Sequence, residues 1–116
     1  LARLTQIDYA REMAFVAVDL GPDDQERTLG VVRAIADPDN LSAEFGIVIR
    51  SDMKGQQLGQ LLMQRIIDYQ RSHGTKKLVA TVLAENTRML ELARRLGFVD
   101  AASDQGEGIR YIELLL

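Results

Sequence analysis

The stretch Ile47-Val48-Ile49-Arg50-Ser51-Asp52-Met53-Lys54-Gly55-Gln56-Gln57-Leu58-Gly59 decides how this chain is read. It opens on a β-branched apolar run, the composition of a strand packed on a core. From about Gln57 the period changes. Leu58, Leu61, Leu62, Met63, Ile66, Ile67 and Tyr69 recur at helical spacing, with Gln60, Gln64, Asp68 and Arg71 on the other side. A helix is therefore predicted to about Ser72, ended by His73-Gly74. The loop between strand and helix holds Lys54, Gly55 and Gly59. Backbone N–H groups at a helix N-terminus suit an anion, because the macrodipole adds partial positive charge there. Gly55 admits a bulky anion against the backbone, and Lys54 and Arg50 add full charges.

Upstream, Met13 to Val18 reads as a buried strand, Gly21-Pro22-Asp23-Asp24 as a turn, and about Thr28 to Ile35 as a second strand. Asp37-Pro38-Asp39-Asn40 is another turn, before a third strand from about Ala43 to Arg50 that contains a lone acid, Glu44. Downstream, Leu78 to Leu83 is a strand. Asn86 leads into a second amphipathic helix with Met89, Leu90, Leu92, Ala93 and Leu96, closed by Gly97. A hairpin-like pair around Gly106 to Gly108 ends in Ile109 to Leu116. Three strands, helix, strand, helix, strands predicts an α/β (α+β) fold, a mixed sheet with helices packed against it.

The chain has 116 residues, enough for one domain and one core. Its lack of cysteine excludes a disulfide framework, a thiolate zinc site and a cysteine nucleophile, and fits a reducing cytoplasm. A formal charge of −3 disfavours a nucleic-acid binder, whose affinity rests on neutralising phosphates. No apolar run approaches the roughly 20 residues of a membrane helix. Asp23-Asp24 lacks the further oxygen ligands of a calcium loop, so no metal is expected. The Walker loop is ruled out because Gln60 and Leu61 follow Gly59, and the three spaced glycines of the dinucleotide fingerprint do not occur.

The loop, the lone Glu44 and the Asn86 block together resemble the GNAT acetyltransferases over almost the whole chain. That family's loop reads Arg/Gln-x-x-Gly-x-Gly/Ala and wraps the pyrophosphate of acetyl-CoA; Lys54-Gly55-Gln56-Gln57-Leu58-Gly59 stands there in this sequence. The family's later motif, Asn, an apolar helix and Leu-Gly-Phe, is matched by Asn86 through Leu96-Gly97-Phe98. A narrower resemblance runs through Asp8 to Val18, Arg33 to Asn40 and Ala43-Glu44-Phe45. These look like the C-terminal domain of Pat-type bacterial protein lysine acetyltransferases, where the domain is fused to a region resembling an NDP-forming acyl-CoA synthetase.

The resemblance implies a GNAT-like, mostly antiparallel sheet, acetyl-CoA as co-substrate and an amine acceptor. In the Pat-type proteins the acceptor is a protein lysine, for example on acetyl-CoA synthetase. It further implies that Glu44 is the general base and that backbone groups of Ile47, Val48 and Ile49 bind the pantetheine. Lys54 to Gln60 would hold the pyrophosphate and Asn86 would complete the cofactor site. Glu44 is expected to be partly buried beside Phe45 and Ile47, an environment that suits a base.

Three positions depart from the family pattern. Lys54 replaces Arg or Gln, Gln57 stands at the middle glycine, and Ala93 replaces the tyrosine that many members use as general acid. The start at Leu1 implies a fragment of a longer protein, with Leu1 to Thr5 the tail of a missing strand and helices and a bare sheet edge beside them. Two other readings compete: a non-catalytic acyl-CoA sensor, and a small-molecule amine acetyltransferase.

Overall fold

The computed structural model describes residues 3–53, 57–101 and 108–116. Within them, seven strands form one sheet: β1 (Arg3–Asp8), β2 (Glu12–Leu20), β3 (Glu26–Ala36), β4 (Ser42–Ile49), β5 (Lys77–Leu83), β6 (Val99–Asp100) and β7 (Ile109–Leu115). Helix α1 (Leu58–Ser72) joins β4 to β5, and α2 (Thr87–Leu96) joins β5 to β6. The strand order is β1-β2-β3-β4-β5-β7-β6. Every neighbouring pair is antiparallel except β4 and β5, which run parallel because α1 carries the chain back across the sheet. The fold is the mixed, mostly antiparallel α+β architecture that the sequence predicts.

Alternation along the strands sorts the two faces. Ala43 and Phe45 point into the core with Val32, Ala34 and Ala36 of β3, where Phe45 meets Phe98 with ring centroids 5.4 Å apart. Leu62, Met63, Ile66 and Ile67 of α1 complete that core; their spacing is the helical stripe read from the sequence. Glu44, Gly46 and Val48 point to the opposite face, beside Ile35 and Val31 of β3. Ile35 is 51% exposed there and Val48 is 74% exposed.

One difference from the sequence reading has a physical cause. Among the described residues a further strand, β1, precedes the one read at Met13. In β1 the partly covered Leu4, Thr5 and Ile7 are interrupted by the exposed Arg3, Gln6 and Asp8. This strand is defined by its six-position ladder to β2 more than by its own hydrophobicity. Because β1 covers β2, the outermost strand on this side among the described residues is β1. At the other end, β6 pairs Val99 and Asp100 with Glu113 and Ile112. The predicted turn around Gly106 lies outside the described residues.

At the end of the sheet remote from the start of α1, a polar chain, buried at Gln70 and Thr75, ties the helix to the β3–β4 turn. Gln70 Nε2 donates to Thr75 Oγ1 at 2.6 Å, Thr75 Oγ1 donates to Asn40 Oδ1 at 2.7 Å, and Asn40 Nδ2 donates to the His73 carbonyl at 2.8 Å. Asn40 sits at φ 58, a left-handed position that asparagine tolerates better than most residues. The His73 ring stacks on Tyr69 with centroids 4.0 Å apart, so it serves the helix end.

The β2–β3 hairpin is closed by a cross-strand ion pair, Arg27 Nε to Asp19 Oδ1 at 2.6 Å. The hydrogen bond from Arg27 holds the Asp19 carboxyl below its ordinary value. A depressed carboxylate adds stability above its unfolded pKa, about 3.9, and loses it as pH falls through the folded pKa. Thermal unfolding of Asp19→Asn should therefore show a shallower fall in melting temperature than the wild type as the pH drops below about 4.

Candidate active site

The ladder between β4 and β5 covers only Ser42, Ala43 and Glu44 opposite Lys77, Leu78 and Val79. Beyond that point the strands part. Among the described residues, the β4 edge that faces β5 has no strand bonded to it from Phe45 to Ile49, whereas its other edge stays paired with β3 up to Ile49 opposite Gly30. A V-shaped opening in a sheet leaves backbone N–H and C=O groups that require a partner. An extended, amide-bearing ligand can supply one by lying along the strand.

A cavity of about 540 Å³ lies along this free end of β4. Ile47, Val48 and Ile49 form its β4 wall, and Gln57, Gly59 and Gln60 bring in the start of α1. Asn86 and α2 close the other side. The volume lies within the usual range for small-molecule sites, roughly 300–1,000 Å³.

The first turn of α1 is arranged for negative charge. Gln57, the N-cap residue, makes no side-chain capping bond, and no acid lies in the first turn. The first helical bond from this end runs from Leu61 N–H to the Gln57 carbonyl at 3.1 Å. The N–H groups of Leu58, Gly59 and Gln60 therefore lack helical partners. Gln57 itself adopts φ 63, the left-handed conformation that glycine takes most easily. This explains why the family pattern has glycine at that position, and why the departure is a strained but tolerated side chain.

Gly59 acts by close packing. A Cβ there would lie 3.0 Å from Ile49 Cδ1 and 3.2 Å from Leu92 Cδ2, so the glycine lets α1, α2 and β4 converge at the cavity. The sequence suggests backbone approach by a ligand at this glycine; its neighbours are instead apolar side chains of the two adjoining elements. Asn86 caps α2, its Oδ1 accepting from Met89 N–H at 3.2 Å, and it lines the cavity as well.

Seven of the expected site residues thus meet in one cavity: Ile47, Val48, Ile49, Gln57, Gly59, Gln60 and Asn86. Leu58 packs against the core. Lys54, Gly55 and Gln56 lie outside the described residues. Glu44 stands at the apex of the V, the last residue of the β4–β5 ladder. It is exposed on the face opposite the helices, not partly buried beside Phe45 and Ile47 as expected, because alternation turns it away from both. Among the described residues it forms no ion pair.

Met53, Arg88, Met89, Glu91, Leu92 and Arg95 also line the cavity, and sequence reasoning does not assign them to it. The signal is nonetheless present. Arg88, Leu92 and Arg95 stand at i, i+4 and i+7, one face of α2.

A splayed parallel strand pair beside a helix N-terminus without a side-chain cap from Gln57 has a shape that suits an extended ligand with an anionic end. The sequence matches the acetyltransferase (GNAT) family over residues 2–98. The chain belongs to that family. It is 34% identical over 99 residues to acetyltransferase PA5475 of Pseudomonas aeruginosa, covering 85% of this chain and 53% of that protein. The chain therefore spans about half the length of that curated relative.

Among solved structures, the GNAT domain of S. lividans PAT superposes with a TM-score of 0.81 at 20% identity, covering 97% of this chain and 65% of that one. The spermidine N-acetyltransferase of Vibrio cholerae, solved with CoA and spermine, gives a TM-score of 0.73 at 25% identity, with 91% and 66% covered.

Proposed function

We propose that this chain is the cofactor-binding and catalytic part of an N-acetyltransferase that moves the acetyl group of acetyl-CoA onto an amine, most directly a protein lysine side chain. The observation that carries the reading is the parting of β4 from β5 after Glu44, with the uncapped start of α1 at the mouth of the same cavity. The free edge of β4 at Ile47, Val48 and Ile49 suits the two amides of a pantetheine arm. The N–H groups of α1, with Lys54, Gly55 and Gln56 before them, suit the pyrophosphate.

In that pose the thioester lies near the apex, within the reach of Glu44. A lysine amine has a reference pKa of about 10.4, so only about one in a thousand is neutral at pH 7.4. Glu44 takes the amine proton directly or through a water as nitrogen attacks the acetyl carbon and the carbon–sulfur bond breaks. The departing thiolate takes a proton from solvent, since Ala93, at the place of the family's tyrosine, is a buried methyl. This chain has no cysteine to carry an acetyl-enzyme thioester, which supports direct transfer.

The protein-lysine acceptor rests on the Pat-type resemblance at Asp8 to Val18, Arg33 to Asn40 and Ala43-Glu44-Phe45. An acyl-CoA synthetase-like region fused to this domain and acetyl-CoA synthetase as a target belong to the same reading. The likeness to the Vibrio cholerae spermidine enzyme favours a second reading, a small-molecule amine acceptor. Mass spectrometry decides between them: the full-length protein is incubated with acetyl-CoA and either acetyl-CoA synthetase or spermidine. Lysine acetylation of the protein supports the first reading. Acetylspermidine alone supports the second, and neither product with any amine tested would leave the domain without transferase activity.

A further inference from the structure

The proposed cofactor reading accounts for the β4 edge and for α1 but leaves two cations on α2 without a task. Arg88 and Arg95 both line the cavity, and both are exposed. They stand seven positions apart, so they lie on one helix face about 10.5 Å from each other along the axis. Leu92, between them, is the residue that a Cβ on Gly59 would touch. The two guanidinium groups therefore flank the contact between α2 and the first turn of α1, about one helical turn to either side.

Neither arginine has an ion-pair partner among the described residues. Glu91 offers one at i+3 from Arg88 and at i−4 from Arg95, and it lines the same cavity, yet neither pair is closed. Arg88 also lies in the first turn of α2, where a cation is disfavoured by the helix dipole and where no acid offsets it. Two unpaired, planar five-donor groups on one wall of a cavity match an anion with several oxygens. The pyrophosphate already has the N–H groups of the opposite wall.

We infer that Arg88 and Arg95 hold the ribose 3′-phosphate of CoA, making α2 the element that tells CoA from its 3′-dephospho form. This rests on the CoA reading of the cavity. A doubly charged phosphate held by charge-assisted hydrogen bonds is worth about a ten- to hundredfold in affinity at a partly exposed site.

Calorimetry with CoA and 3′-dephospho-CoA tests the assignment on the wild type, on Arg88→Gln/Arg95→Gln and on Arg88→Lys/Arg95→Lys. The wild type should bind CoA at least about tenfold more tightly than dephospho-CoA. The glutamine pair should bring that ratio close to one, and the lysine pair should retain part of it, because charge remains while the planar fork is lost. Circular dichroism of each variant confirms that the fold is kept. A wild type that binds both ligands equally overturns the assignment and leaves the CoA reading standing. Equal losses of both ligands in the glutamine pair also overturn it, moving the arginines to the pyrophosphate. A wild type that binds neither ligand overturns both the assignment and the reading beneath it.

Discussion

Glu44→Gln should lower the rate of acetyl transfer by about a hundred- to ten-thousandfold, the usual cost of losing a positioned general base. CoA affinity should stay close to that of the wild type. The two parts of this expectation come from different places in the structure. Glu44 lies at the apex of the strand opening, outside the cavity that holds seven of the other expected site residues. Its side chain is exposed and forms no ion pair among the described residues, so glutamine fits without disturbing the packing. Glutamine keeps the shape and the hydrogen-bonding reach, and it cannot accept the amine proton. Steady-state kinetics on the full-length protein, paired with calorimetry of CoA binding, separates the two roles. Retention of most activity removes Glu44 from the mechanism, and a parallel loss of CoA binding makes it structural.

Gly59→Leu should act on the cofactor site itself and cost at least about tenfold in CoA affinity, since overpacking of this kind costs about 1–3 kcal/mol and shifts backbone. The helix start, α2 and β4 meet at this residue. Ile49 Cδ1 and Leu92 Cδ2 lie closer to the place a Cβ would take than ordinary contact allows. An inserted isobutyl group has no room there. The shift falls on the N–H groups that are to meet the pyrophosphate. Gly59→Ala should be far milder, because both neighbouring atoms are the ends of side chains that can yield by a few tenths of an ångström. That graded response is the mark of packing. If alanine and leucine weaken CoA binding equally, backbone approach by the ligand, not helix packing, is the reason for the glycine.

Much of the fold is legible from hydrophobic period alone. The stripe Leu62, Met63, Ile66 and Ile67 and the alternating core residues of β2 to β5 fix each element's type and its inward face. β1 is not legible in that way, since an edge strand covered on one side has little need of an apolar run. The candidate site divides along the same line. Residues whose local chemistry is distinctive, such as Asn86 at a helix start and Gly59 at another, are found from sequence. Arg88 and Arg95 are not, because a cation on a helix normally belongs to a solvated face. Only the approach of α2 to the start of α1 turns those two toward a cavity. The exposure of Glu44 has a similar origin: strand parity, set by the core residues Ala43 and Phe45, outweighs proximity in sequence.

If the opening between β4 and β5 and the start of α1 form one site, they should hold the two ends of acetyl-CoA together. Calorimetry comparing acetyl-CoA with acetyl-pantetheine, which lacks the pyrophosphate and nucleotide, tests this most directly. Acetyl-CoA should bind at least about tenfold more tightly, through charge-assisted contacts at the helix start. Equal affinities for the two compounds would contradict a shared site.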